Sequence, residues 1–503
     1  MSSGVGRTSL LLVPVAIASR GAAFLVPVAV AAWFGVSAVI DAWFWALAFP
    51  TFALVLAGTS LGTAATPSMA EVRSSAPERL PAFIGGLLIW SALGALLLGV
   101  VLCLIAPAYL RNFSEFSPET QTLAARFLWE LLPFAILTTA GTVLRVGCEV
   151  HERFIGVAIT PIVRASAVLL VTWLLLPVLG PHALAAGLVT GEAVQFVWWA
   201  ALLSRAGVVP KPTLRLDPTI RQVGRDLAPI LGGEVLVALN IVVDIAFAGT
   251  LPTEGSVATL EYADRARVIP QTLLHSTLAM VAFASWSNLR ARGQTEEFRA
   301  AVDQALRWTL ALSAPVLAGM FIGRFVIIGT LFERGEFSAE DTARTAAVLG
   351  YYLPGILPNL LGILAVRAHI VERNLAIIFW LGVASMSLNA LFNAMLIGPM
   401  GLNGLALATT LNMLIIPGAY VLALSPAVRF PPRAWLQAGA LAAAAIGVAV
   451  FVELVPGAPR SLWDGTLWLA AVPCFAILGL AATLNRPPPR WPTPPPTPWR
   501  PGA

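Results

Sequence analysis

The sequence predicts an all-α polytopic membrane protein of about 14 transmembrane helices, with two six-helix lobes in a parallel repeat plus two C-terminal helices. Three observations carry this expectation. Apolar runs of about 20 residues recur along the whole chain, each long enough to cross a ~30 Å hydrocarbon core. The basic residues fall in alternate loops between those runs. The two halves of the chain echo one another at a shift of about 220 residues.

Composition fixes the class first. Of 503 residues, 58% are hydrophobic and only 11% charged, and the mean hydropathy is +0.82. Soluble domains carry roughly a quarter charged residues, so water cannot be the solvent for most of this chain. In lipid every backbone polar group must be satisfied within the segment, which makes the runs helices. The net charge of +5 does not point to nucleic acid, because the arginines sit in separate short loops rather than in one patch. Cys103, Cys148 and Cys474 have no paired spacing and suggest neither a disulfide framework nor a metal site. Arg7 ahead of an apolar stretch, with Ala16-Ile17-Ala18 after it, imitates a cleavable leader. The apolar run resumes beyond Arg20 and continues to Phe34, as a spanning helix does.

The spans centre near Phe24, Phe52, Leu93, Ile136, Leu169 and Val194 in the first lobe, residues 1–215. In the second lobe, residues 216–430, they centre near Leu239, Leu278, Val316, Leu360, Ser385 and Leu411. The second and eighth are the least distinct because both carry polar residues. Ala445 and Leu469 centre two further helices within 431–486, and a Pro-rich, extended tail occupies 487–503. One set of loops holds Arg73 and Arg79, Arg145 and Arg153, the stretch Arg205–Arg225, Arg290–Arg299, and Arg367 with Arg373. The opposite set holds little beyond Arg111, Arg334, Arg344 and Arg460. Positive loops stay in the cytoplasm, so both termini are expected there.

The repeat is visible in several matches. Glu115-Phe116-Ser117-Pro118-Glu119 echoes Glu336-Phe337-Ser338-Ala339-Glu340, and Leu132-Pro133 echoes Leu353-Pro354. Glu152-Arg153 is matched with Glu372-Arg373, Gly180-Pro181 with Gly398-Pro399, and Trp90 with Trp308. Six spans per copy return each copy to the same side, which makes the repeat parallel.

Ionisable residues inside spans mark cavities or partners. Arg20 lies in the first span and Asp41 opens the second; they are either a structural ion pair or a cavity lining. Tyr262-Ala263-Asp264-Arg265 opens the eighth span, with Pro270 as far beyond Glu261 as Pro50 lies beyond Asp41. Arg suits a phosphate because its planar fork donates two bonds at once; the alternative is a loop charge at an interface. The seventh span carries Asn240 and Asp244, the eleventh Asn389 and Asn393 on one face, and the twelfth Thr409 and Asn412. One carboxylate with amide and hydroxyl oxygens suits a small hard cation, and the same set suits interhelical hydrogen bonding. Glu130, Arg164, Glu192 and Glu234 are expected to pair, Arg324 to snorkel to an interface, and His275 and His369 are isolated. No Ser/His/Asp set, HExxH, P-loop or Gly-rich nucleotide loop is present.

Ser19-Arg20, Phe34-Gly35 with Asp41-Ala42, Tyr262-Ala263-Asp264-Arg265, Gly335-Glu336-Phe337 with Asp341-Thr342, and Gly404-Leu405-Ala406-Leu407-Ala408-Thr409 together resemble the MurJ/MviN lipid II flippases of the multidrug/oligosaccharidyl-lipid/polysaccharide exporter superfamily. The resemblance runs from about Ser19 to Leu424. It implies two lobes around a cationic cavity, with the helices of 431–486 lining a groove for a polyprenyl tail. Arg20 and Arg265 would contact the pyrophosphate, and Asp41 and Asp264 would be the cavity acids. A sodium site would fall on Asp244, Asn389, Asn393, the Leu405 carbonyl and Thr409, with sodium as coupling ion and Asn393 standing where some relatives have an acid. Membrane lipids, a lipid-linked glycan and cell-envelope biosynthesis proteins are the partners it implies. Two cavity arginines of the family are replaced, one by Val26-Pro27 and one within Pro50-Thr51-Phe52-Ala53-Leu54.

The expected function is a flippase moving a polyprenyl-pyrophosphate-linked saccharide, lipid II or a related envelope precursor, across the bacterial cytoplasmic membrane by alternating access. The alternatives are a cation-coupled multidrug exporter of the same superfamily and an inactive relative acting as a membrane scaffold. A polyprenyl glycosyltransferase, the enzymatic alternative, lacks the large water-exposed loop with an acidic motif that it would need.

Overall fold

The computed structural model describes residues 2–55 and 60–424, and these are helical almost throughout, with no strand among them. The helices are α1 (Ser2–Phe34), α2 (Ala38–Val55), α3 (Gly62–Ser75), α4 (Leu80–Phe113), α5 (Pro118–Glu130), α6 (Leu132–Val150), α7 (Phe154–Leu179) and α8 (Ala183–Ser204). An extended segment leads to α9 (Pro218–Ala248), α10 (Ser256–Ala291), α11 (Thr295–Ile322), α12 (Arg324–Phe332), α13 (Ala339–Val371) and α14 (Leu375–Ala423). The helices and tail expected at 431–486 and 487–503 lie outside the described residues, as does Cys474.

Among the described residues, seven stretches are long and apolar enough to cross a membrane. Two of them, Phe154–Ser204 with 51 residues and Leu375–Ala423 with 49, exceed one crossing at about 1.5 Å per residue and must turn back. They do so at Gly180 (φ 54°, ψ −133°) and Gly401 (φ 55°, ψ −131°), the same backbone conformation in both halves. Within α2 and α9 the apolar stretches Ala38–Phe52 and Leu239–Ala248 are shorter.

The repeat is written in the backbone at one constant offset. Ser117 caps α5 through the Thr120 N–H and Ser338 caps α13 through the Asp341 N–H. Glu152 (φ 58°) and Arg373 (φ 59°) take the left-handed turn after α6 and α13. This register corrects two of the sequence matches. Glu152 answers to Arg373, not Glu372, and Gly180 answers to Gly401, not Gly398.

The core divides unevenly. One cluster draws on both halves, with Ile40, Phe44 and Phe127 from the first and Val257, Tyr262, Phe332 and Phe337 from the second. At the end carrying the arginine-rich loops it gives way to two clusters. One joins Leu80, Ile84 and Val143 to Ile220 and Val223 at the start of α9, and the other joins Trp286, Phe298, Leu364 and Tyr420. Among the described residues, the halves share one core at the arginine-poor end, and the arginine-rich end has two cores, one of which binds the start of α9 to the first half.

Candidate functional site

The arginine-poor end is closed by backbone packing. Gly35 and Gly335 both have positive φ, of 59° and 60°, and sit against the opposite half. A Cβ on Gly35 would lie 2.3 Å from the Glu336 carbonyl oxygen, and one on Gly335 would lie 2.1 Å from that of Ala32. The Glu336 N–H donates to the Ala32 carbonyl at 2.9 Å, and the Glu115 N–H to that of Gly249 at 3.0 Å. Beneath these turns the buried Tyr262 ring meets Phe44 at 5.4 Å, Phe332 at 5.1 Å and Phe337 at 5.4 Å.

Asp41 belongs to this closure. Its carboxylate, 2% exposed, accepts from the Gly255 N–H at 2.7 Å and from the Ala258 N–H at 2.8 Å. Those amides open α10, whose first turn leaves donors unsatisfied and carries the positive end of the helix dipole. Asp41 is therefore a cap across the two halves in this conformation rather than a cavity lining, and no ion pair joins it to Arg20. Arg20 is exposed. Its neighbour Ser19 donates to the Ala158 carbonyl at 2.6 Å, and Ala158 lines a cleft of about 890 Å³ at the arginine-rich end with Arg73, Ser74, Glu149 and Val157. Arg20 is not among the residues that line this cleft.

The run Glu261–Arg267 sorts into two pairs along α10. Arg265 donates to Glu261 at 3.2 Å and lies over the Phe44 ring at 5.2 Å, and its Nε is buried without a hydrogen-bond partner. Asp264 is bound by Arg267 through both Nε and Nη2. Arg267, 8% exposed, also reaches Gln271 at 3.3 Å and Met413 Sδ at 3.6 Å and faces the Tyr352 ring at 5.2 Å. Sequence reasoning missed Arg267 and the pairing of Glu261. The i, i+3 and i, i+4 spacing of acids and arginines on one helix was the available signal.

The polar residues of α9 and α14 converge. Asn389 and Asn393 each donate to Asp244 Oδ1 at 2.7 Å, and the Thr409 hydroxyl reaches Asp244 Oδ2 at 3.1 Å and the Leu405 carbonyl at 3.2 Å. The carbonyl oxygens of both amides are buried without partners. Rotating either amide exchanges its oxygen and nitrogen, a choice made by the hydrogen-bond network rather than by shape. With the amides turned, the cluster would hold one carboxylate, two amide oxygens, a hydroxyl and a backbone carbonyl. That donor set fits a small hard cation.

The remaining interior charges are structural. Arg164 pairs with the buried Glu192 at 2.8 Å, and His182 with Glu130 at 2.7 Å. Arg324 does not snorkel: it is 7% exposed, between the Phe321 and Phe325 rings at 4.7 Å each. His369 is buried, with Nε2 against the Tyr420 carbonyl at 3.0 Å and Nδ1 without a hydrogen-bond partner. The side chains of Glu234 and His275 lie outside the described residues.

Comparison with known proteins places this arrangement. The family model described as lipid II flippase MurJ matches residues 30–467. A probable lipid II flippase MurJ of Vibrio cholerae is 25% identical over 432 residues, covering 81% of this chain and 80% of that one. One from Bdellovibrio bacteriovorus is 27% identical over 233 residues, covering 46% of this chain and 44% of that one. The structure superposes on one of lipid II flippase MurJ in an inward closed conformation with a TM-score of 0.80 at 19% identity, over 94% of this chain and 98% of that one. An inward-facing multidrug resistance MATE transporter of the MOP superfamily gives 0.63 at 13% identity, over 84% and 94%. With the family model spanning most of its length, the chain belongs to the lipid II flippase MurJ family.

Proposed function

We propose that this protein flips lipid II, a polyprenyl-pyrophosphate-linked saccharide, across the bacterial inner membrane by alternating access, and that the arginine-rich face is cytoplasmic, with both termini there. The observation that carries the reading is the joining of the halves at the arginine-poor end, where the Glu336 and Glu115 amides reach the Ala32 and Gly249 carbonyls, as a state closed to the outside requires. Moving a charged headgroup through hydrocarbon is prohibitive without fixed countercharges. Arg20, exposed on α1, and Arg265 on α10 supply them. Arg265 lies over Phe44 at 5.2 Å and bonds Glu261 through Nη2, and its planar fork suits a phosphate. Release on the far side requires the Gly35–Gly335 contact, the Asp41 cap and the aromatic plug to part together.

The cluster on Asp244, Asn389, Asn393, Leu405 and Thr409 is read as a sodium site. Sodium there would neutralise Asp244 and supply an ion gradient to bias the cycle. The chain's own part is to present the five oxygens and to hold α9 against α14.

The test is complementation of a lipid II flippase-depleted bacterium with wild type, Arg20→Ala and Arg265→Ala at matched membrane levels. Rescue by wild type and loss in both variants is expected. A well-inserted wild type that fails to rescue would overturn lipid II as the substrate.

A further inference from the structure

Arg267 is the one arginine of the α10 run that the flipping reaction does not use, and its position is unusual. It leaves its own helix to touch Met413 on α14 at 3.6 Å. Met413 lies one helical turn beyond Thr409, which holds Asp244 at 3.1 Å. The guanidinium is buried, and Asp264, Gln271 and the Tyr352 ring fix it in place. A permanent positive charge therefore stands against α14 one helical turn beyond Thr409, at a depth where screening is weak.

Among the described residues, the charged groups of this region are Asp244 on α9 and Glu261, Asp264, Arg265 and Arg267 on α10. The three acids exceed the two arginines by one charge. That leaves room for a single positive charge at Asp244 and no more, because a second would sit unbalanced in a low-dielectric interior.

We propose that Arg267 is the specificity-determining residue of the cation cluster: held by Asp264, it limits the site to one monovalent ion and excludes divalent ions. This rests on the sodium reading above. Without Arg267 the region would carry two excess negative charges, the charge count that suits a divalent ion. Without Asp264 the guanidinium would be free to turn toward Asp244 and compete with the ion. A purely structural i, i+3 pair predicts instead that either loss disturbs the cluster in the same direction.

The experiment is radiolabelled sodium binding to the purified full-length protein in detergent, with calcium as competitor. Wild type, Asp244→Asn, Arg267→Gln, Arg267→Lys and Asp264→Asn are compared. Wild type should bind sodium, resist calcium, and lose binding in Asp244→Asn. Arg267→Gln should bind sodium about tenfold more tightly and become sensitive to calcium, and Asp264→Asn should bind about tenfold more weakly. Arg267→Lys, which keeps the charge, should behave as wild type. Should Arg267→Gln not fold, Asp264→Asn against Arg267→Lys still decides the question. Shifts of the same sign in Arg267→Gln and Asp264→Asn, or of less than twofold with wild-type binding intact, overturn the role of Arg267 and leave the sodium site standing. Absence of sodium binding in well-folded wild type overturns the site itself and the proposal with it.

Discussion

Asp41→Asn should loosen the closed end as a unit. The carboxylate takes two backbone N–H groups at the start of α10, at 2.7 and 2.8 Å, and it lies on the positive end of that helix. Each charge-assisted bond contributes about 1.5–3 kcal/mol, and the dipole term adds up to about 2 kcal/mol. Asparagine keeps one acceptor oxygen but turns an NH₂ toward the second amide, so the closed state should lose about 2–4 kcal/mol. Opening should become about 30- to 1,000-fold more frequent. Amide hydrogen exchange measures this even when the open form is rare, because the exchange rate follows its population. The Gly255 and Ala258 amides would accelerate simply by losing their acceptor. The informative amides are those of Glu336 and Glu115, which bond across the halves to Ala32 and Gly249 and never touch Asp41. Acceleration there within the same range is expected, with the core of α13 still protected. If Glu336 and Glu115 exchange as in wild type, the cap is local and the reasoning fails.

Other perturbations follow from the same geometry. Gly335→Ala puts a Cβ 2.1 Å from the Ala32 carbonyl oxygen at a φ of +60°, so it should open the same end by at least about 2 kcal/mol, read as faster Glu336 exchange. Phe332→Ala removes a fully buried ring from the contacts with Phe24, Tyr262 and Phe337; thermal unfolding in detergent should register a loss of about 3–5 kcal/mol. At the arginine-rich face, partial burial pushes the Asp217 carboxyl up, but the Thr219 amide and the Arg79 guanidinium outweigh it and hold it below the ordinary carboxylate range. A depressed carboxyl stabilises above the ordinary value near 3.9 and loses that contribution as pH falls through the lowered one. Exchange at Lys211–Thr219 should therefore rise only in strong acid. Because Arg79 is 56% exposed, Arg79→Gln should cost no more than about 0.5 kcal/mol at neutral pH.

The fold was legible because lipid leaves the chain few options. Apolar length and the arginine pattern define the spans, and Pro133, Gly180 and Gly401 punctuate them with residues whose backbone preferences are local. Register was less legible: Glu-Arg and Gly-Pro are dipeptides common enough to align one to three residues out of place, and only the backbone turns settle it. Among the site residues, sequence pattern brought Asp244, Asn389, Asn393 and Thr409 to notice, the family resemblance added Leu405, and the structure brings them together. It did not reveal that Asp41 caps α10, since a carboxylate at a span mouth reads the same whether it meets water or an amide 214 residues away. Nor did it separate Arg265 from Arg267, whose difference lies in α14, a partner far off in the chain.

The duplication itself explains why the charges can do directional work. At the repeat's constant offset, Asn389, Asn393 and Thr409 answer to Val168, Thr172 and Leu188, all buried, with Val168 and Leu188 in the shared apolar core. Ser385 and Met413 likewise answer to Arg164 and Glu192, which pair at 2.8 Å between α7 and α8. The halves thus share their turns and caps but not their polar interiors. The first is tied by an internal ion pair that needs nothing from solution, and the second is left with an acid whose balance has to come from outside. Were both halves to carry the cluster, an ion would stabilise the two lobes equally and favour neither orientation, since a ligand moves an equilibrium only through its differential affinity. On the sodium reading proposed above, an ion confined to one half can couple its own binding to the state of the cavity.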